Sequence, residues 1–120
     1  MQDQLRALIR RHCHTLAQEL EAVRTCVEAL MGPRNSWAEA ATEGIALTHK
    51  IKGSSGSIGF MKISEAAALL EQKFKVLLDA NQQLTDDHKA QIFHQFEELS
   101  ELITNIKPEV STLYDANFSL

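Results

Sequence analysis

The sequence has 120 residues and a formal net charge of −4, and 44% of its residues are hydrophobic. This length suits one domain with a single core, and the composition is that of an ordinary globular protein. Arg10 and Arg11 form the only tight basic cluster, which argues against a nucleic-acid-binding protein. The apolar runs are shorter than the roughly 20 residues that cross a bilayer, so we expect a cytoplasmic domain without membrane contact.

Apolar residues recur at alternating steps of three and four along four segments of the chain, which is typical of helices that turn one face to a core. The short connections between these segments favour antiparallel neighbours. We therefore predict a single all-α domain over residues 1–120, an antiparallel four-helix bundle. Its helices are expected at about 2–31, 36–58, 62–80 and 85–106, with a C-terminal tail at 109–120.

The predicted helix boundaries rest on capping residues. Gly32 and Pro33 are expected to end the first helix. Ser36 and Glu39 have the spacing of a capping box at the start of the second helix, and Thr85 precedes two acidic residues at the start of the fourth.

The second helix contains the residues that carry chemistry. Its buried seam is predicted at Ala40, Gly44, Leu47, Ile51, Ser54 and Ile58. His49 lies about 200° around the helix from Leu47 and Ile51, so its imidazole is expected to face solvent. Ile45 lies one turn earlier on the same face, and we expect it to be an exposed apolar side chain on which a partner docks.

Glycines interrupt this helix, although each interior glycine costs about 1 kcal/mol relative to alanine. Lys52, Gly53 and Gly56 share the face of His49, which places an imidazole nucleophile over a flat backbone surface that another protein's active site could cover. Lys52 would neutralise the oxygens of a phosphoryl group on the imidazole. In the alternative interpretation, Gly56 and Gly59 allow two helices to pack closely.

The string His49-Lys50-Ile51-Lys52-Gly53-Ser54-Ser55-Gly56-Ser57-Ile58-Gly59 resembles the HxxKG(S/A)xxxxG signature of histidine phosphotransfer (HPt) domains. It is especially similar to the C-terminal HPt domains of tripartite hybrid sensor kinases. The resemblance implies that His49 is phosphorylated, that Lys52 assists, and that Gly53 permits close approach. Family members often place a glutamine near the histidine, where this chain has Glu71. Lys75 then either supplies the polar support or pairs with Glu71 on the surface.

The function that this resemblance implies is that of a phosphoryl carrier in a two-component phosphorelay, without kinase activity of its own. Response-regulator receiver domains are the expected partners, and no cofactor is expected except Mg²⁺ on the receiver. The domain is either freestanding or the C-terminal module of a hybrid sensor kinase, and we expect a monomer. The alternative is a non-catalytic helical adaptor. No metal site is expected, because the paired histidines lack the i, i+4 spacing of a helical zinc site.

Overall fold

The computed structural model describes residues 2–32, 37–79 and 84–115, and these ranges contain helices and no strand. The four α-helices of the described ranges are α1 (Gln2–Leu30), α2 (Trp37–Ser57), α3 (Met61–Asp79) and α4 (Asp86–Thr104). A short 3-10 turn follows at Pro108–Val110. None of the helices in these ranges combines the length and the hydrophobicity that a membrane span requires.

Contacts between neighbouring helices show that they are antiparallel. His12 in the first half of α1 contacts Ser55 near the end of α2, with 3.2 Å between Nε2 and Oγ. Ser64 near the start of α3 donates a hydrogen bond to the backbone oxygen of Lys52 in the second half of α2, at 2.8 Å. α4 packs against α3 and α1 and closes the four-helix bundle.

Each helix buries one apolar face in a common core, as the three-and-four periodicity predicts. The apolar side chains of this core include Ile9, Leu16, Leu20, Val23, Val27, Leu30, Ile51, Ile58, Phe60, Ile63, Leu70, Phe74, Leu77, Ile92, Phe96, Leu99 and Ile103.

The buried face of α2 is rotated from the predicted one. Thr48 and Ser55 are buried, whereas Leu47 and Ser54 are only partly buried, so the predicted seam is wrong at these positions. The Thr48 hydroxyl donates to the backbone oxygen of Gly44 at 2.7 Å. Because this bond satisfies the hydroxyl locally, the threonine can enter the core without an unpaired polar group.

The start of α4 confirms one predicted cap. Thr85 has an extended backbone, and its hydroxyl accepts a hydrogen bond from the backbone nitrogen of His88 at 3.1 Å. The predicted capping box lies outside the described residues, because it depends on Ser36.

The chain after α4 packs back on the bundle as far as Asp115. The Ser111 hydroxyl donates to the backbone oxygen of Ile58 at 2.6 Å, and the backbone nitrogen of Thr112 donates to the oxygen of Gly59 at 3.1 Å. Gly59 has a φ of +92°, and a Cβ there would lie 2.6 Å from the Thr112 hydroxyl oxygen. Gly59 therefore serves the turn between α2 and α3 and the packing of residues 108–115.

Substitution by alanine is expected to change the free energy of unfolding in opposite directions at two glycines of α2. A Cβ at Gly44 would lie 2.8 Å from two ring atoms of the fully buried Phe74, whereas a Cβ at Gly53 would meet nothing within 4 Å. Gly44→Ala is therefore expected to lower the free energy of unfolding by about 1–3 kcal/mol through overpacking. Gly53→Ala is expected to raise it by about 0.5–1 kcal/mol, because it relieves the glycine penalty in an open helix position.

Urea denaturation of the two variants beside the parent measures this difference. A gain of stability in both variants would show that the Phe74 ring moves aside without cost, and would contradict the tight packing of α2 on α3.

Candidate functional site

His49 lies in the middle of α2 and points away from the core. Thr48 and Ile51 are fully buried, and at about 100° per residue His49 lies roughly 100° from Thr48 and roughly 160° from Ile51 around the helix. Its side chain is 67% exposed. The predicted outward orientation of the imidazole is therefore confirmed.

Glu71 contacts the exposed imidazole on its Nδ1 side. Its Nδ1 atom lies 3.2 Å from Oε2 of Glu71, which projects from α3. The Glu71 side chain is only 4% exposed, so a carboxylate is buried directly beneath an accessible ring. A carboxylate inside a protein is costly unless cations or donors compensate it.

Two lysines supply that compensation. Nζ of Lys52 lies 3.1 Å from Oε1 of Glu71, and Nζ of Lys75 lies 2.9 Å from Oε2. Burial raises the pKa of the carboxyl, but the contacts with the two ammonium groups and the imidazole outweigh burial and hold this pKa below its ordinary value. Glu71 is therefore ionised at neutral pH.

This arrangement fixes the roles of the two ring nitrogens. An ionised carboxylate can only accept hydrogen bonds, so the contact between Glu71 and Nδ1 of His49 requires a proton on Nδ1. In the neutral imidazole, the lone pair then belongs to Nε2, which is the nitrogen away from Glu71. Whenever the imidazole is neutral, the site therefore presents Nε2 as a nucleophile on the face of α2 that is open to another molecule.

Lys75 pairs with Glu71, which is one of the two alternatives that the sequence leaves open. It pairs with Glu71 through the i, i+4 spacing of α3, and its own side chain is 46% exposed. Because Glu71 also contacts His49 and Lys52, this pair belongs to the cluster at the histidine. We call Glu71, Lys52 and Lys75 together the charge cluster.

The two glycines of the predicted face differ in their surroundings. Gly53 is exposed, and no atom would obstruct a Cβ at this position. At Gly56, a Cβ would lie 3.1 Å from the hydroxyl oxygen of Ser64 in α3. Gly53 therefore leaves the surface near His49 without a projecting side chain. Gly56 instead allows α2 and α3 to pack closely, as in the alternative interpretation.

The prediction that Ile45 is exposed is wrong. This residue is partly buried and packs against the edge of the core. The buried face of α2 includes Ala41 and Thr48, so it extends further toward Ile45 than the predicted seam allowed. The docking role of Ile45 stays a prediction, now for the part of the side chain that is accessible.

Glu71 has a place at this site that its own position in the sequence does not reveal. Glu71 stands where family members often have a glutamine, and the sequence does not predict that it is buried. The available signal was the position of Glu71 one residue after the buried Leu70 and four before Lys75. Since a charged residue at the margin of an apolar seam is usually solvated, only the tertiary contact with α2 shows its place.

Among the described residues, no group of three or more histidine, cysteine, aspartate or glutamate side chains could hold a metal ion. The cluster beneath His49 is instead dominated by ammonium groups around one carboxylate.

Comparison with known proteins agrees with the geometry of the site. The family model described as Hpt domain matches residues 4–108, which is most of the chain. Searches of curated proteins and of solved structures found no match. An antiparallel four-helix bundle, an exposed histidine on its second helix and a family match over nearly all of its length together show that the chain belongs to the Hpt family of histidine phosphotransfer domains, which carry phosphoryl groups in phosphorelays.

Proposed function

We propose that His49 accepts a phosphoryl group from the phospho-aspartate of one receiver domain and passes it to the aspartate of another. The observation that carries this proposal is the asymmetry of the imidazole. Glu71 holds the Nδ1 side, while the ring is 67% exposed and Nε2 is free to attack phosphorus. An adaptor that only binds a partner has no need of such an oriented nucleophile.

The transfer needs no proton movement at His49. The Nε2 lone pair attacks phosphorus, the bond from phosphorus to the aspartyl oxygen breaks, and its electron pair returns to the receiver's carboxylate. The Nδ1 proton stays on the ring, where the negative charge of Glu71 stabilises the positive charge that develops. In the proposal, the receiver brings Mg²⁺ and much of the transition-state stabilisation, and this chain has no kinase activity of its own.

Lys52 and Gly53 serve the approach of the receiver. The Lys52 ammonium lies within the charge cluster one turn after His49, and it can turn toward the oxygens of an incoming phosphoryl group. Gly53 leaves open backbone beside the ring, so the rim of a receiver's active site can come close. The accessible part of Ile45 is proposed to lie under the same receiver.

We also propose the kind of protein in which this domain occurs. The string around His49 favours the C-terminal module of a hybrid sensor kinase, although a freestanding cytoplasmic monomer fits the same residues. A non-catalytic adaptor is the competing function, and phosphorylation by a phosphorylated receiver separates the two.

The first functional prediction concerns His49 itself. His49→Gln is expected to abolish phosphate acceptance from a phosphorylated receiver, while the free energy of unfolding changes by less than about 1 kcal/mol, because the side chain is mostly exposed. His14→Gln, at an exposed histidine of α1, is the matched control and should transfer at the parent rate. Acceptance that persists in His49→Gln would refute the proposed function.

The second prediction concerns Lys52. Lys52→Ala is expected to slow phosphotransfer about tenfold or more while the affinity for the receiver changes little, because the charge interaction strengthens as the phosphoryl group approaches. Lys62→Ala, which removes an exposed lysine of α3, is the control. Single-turnover rates and titration calorimetry measure the two quantities, and equal rates in parent and Lys52→Ala would remove this lysine from the mechanism.

The third prediction separates the function of Gly53 from its effect on folding. Gly53→Ala is expected to stabilise the fold and yet to weaken receiver binding and slow transfer at low receiver concentration, since the new methyl group stands where the partner must approach. Unchanged binding in this more stable variant would show that the open backbone at Gly53 has no role in docking.

A further inference from the structure

A negative charge at Glu71 is not needed to orient the imidazole ring. An amide oxygen at the same position could also accept the Nδ1 proton of His49 and fix the same tautomer. What the carboxylate adds is a negative charge 3.2 Å from Nδ1, in a place where its side chain is 4% exposed. A charge in that position acts on the ring most strongly when the ring itself is positive.

Phosphorylation on Nε2 creates a state in which the ring is positive. When Nε2 carries the phosphoryl group and Nδ1 keeps its proton, the imidazole is a cation bonded to phosphorus. When the receiver's aspartate attacks phosphorus, the bond from phosphorus to Nε2 breaks and its electron pair stays on Nε2. The ring then leaves as a neutral imidazole. Without the Nδ1 proton it would have to leave as an imidazolate anion, which is a far poorer leaving group.

We propose that Glu71 keeps phosphorylated His49 in its transferable form, by holding the proton on Nδ1, over a wider range of pH than an amide in its place would. The inference rests on the proposed function and deepens it, because it assigns to Glu71 the control of how readily the domain donates its phosphoryl group. Glu71 is a positioning residue in this scheme, since it acts through His49 and does not touch the phosphoryl group.

The other charges around the ring favour this role. Lys52 from α2 and Lys75 from α3 share the carboxylate in the unphosphorylated domain. A phosphoryl group on Nε2 offers Lys52 a dianionic partner on the exposed side of the ring. When the Lys52 ammonium turns from Glu71 to the phosphoryl group, Glu71 keeps its contacts with Lys75 and the cationic ring. The interaction between Glu71 and Nδ1 therefore strengthens upon phosphorylation.

Glu19 of α1 forms a separate ion pair with Lys50 of α2. Glu19 is buried, and its Oε2 lies 3.7 Å from Nζ of Lys50, which follows His49 in α2. Burial raises the pKa of the Glu19 carboxyl, and the nearby Lys50 opposes this rise. Glu19 therefore offers a second buried glutamate, which forms an ion pair with a lysine instead of contacting the imidazole.

The test uses a donor that needs no receiver. Phosphoramidate phosphorylates histidine with loss of ammonia, and the loss of phosphohistidine to water is then followed by ³¹P NMR at a series of pH values. Parent and Glu71→Gln should lose phosphate at similar rates in acid. As the pH rises, the rate should fall earlier in Glu71→Gln, by about one pH unit, which corresponds to an about tenfold slower loss on the alkaline side.

Controls separate this inference from the proposed function. Glu19→Gln removes the other buried carboxylate and should keep the parent pH profile, while His49→Gln should give no phosphohistidine signal at this position. If the parent domain forms no phosphohistidine at His49, the proposed function fails. If it does, and the profiles of parent and Glu71→Gln coincide, the inference about Glu71 is wrong while the phosphoryl carrier remains.

A second measurement on the parent chain covers the case in which Glu71→Gln does not fold. Nitrogen-15 NMR of phosphorylated His49 reports directly whether Nδ1 is protonated. The proposal requires this proton to be present at neutral pH, and a deprotonated Nδ1 in the phosphorylated parent would overturn it.

Discussion

The buried carboxylate of Glu71 is the constraint on which the arrangement of this site depends. A lone ionised carboxylate in an apolar interior is unfavourable by several kcal/mol. Here the cost is offset by two ammonium groups and a ring nitrogen, which come from α2 and α3. The position of the charge cluster thus ties the register of the two helices to the orientation of His49, and any shift of α2 along α3 would break several contacts at once.

Small residues make that register possible. Gly44 leaves room for the Phe74 ring, and Gly56 leaves room for Ser64. Both glycines lower the helix propensity of α2, so the helix must be stabilised by its packing. Gly53 lies between them with no neighbour within 4 Å of a Cβ, and packing gives no reason for a glycine there. Its cost to the helix is understandable if an outside partner needs the space.

Much of the fold could be predicted from the sequence, because helical periodicity and capping are local properties. The orientation of His49 followed from the same periodicity. The seam of α2 was misplaced because Leu47 is more hydrophobic than Thr48, and hydrophobicity alone does not show that a threonine hydroxyl will bond to the preceding turn. The error at Ile45 has the same origin. The burial of Glu71 could not be predicted from its own helix, since the cations that make it tolerable include one from α2.

The opposite environments of the two ring nitrogens connect this architecture to phosphotransfer. Nδ1 faces the buried carboxylate of Glu71, whereas Nε2 faces the surface that a receiver would cover. A phosphoryl carrier works best when its phosphorylated and unphosphorylated states have similar free energies. Groups that bind the phosphoryl oxygens tightly would stabilise the phosphorylated state and hold the phosphoryl group on the carrier. In the proposed scheme the carboxylate of Glu71 lies behind the ring and touches no phosphoryl oxygen, so Lys52 and the partner are left to contact those oxygens.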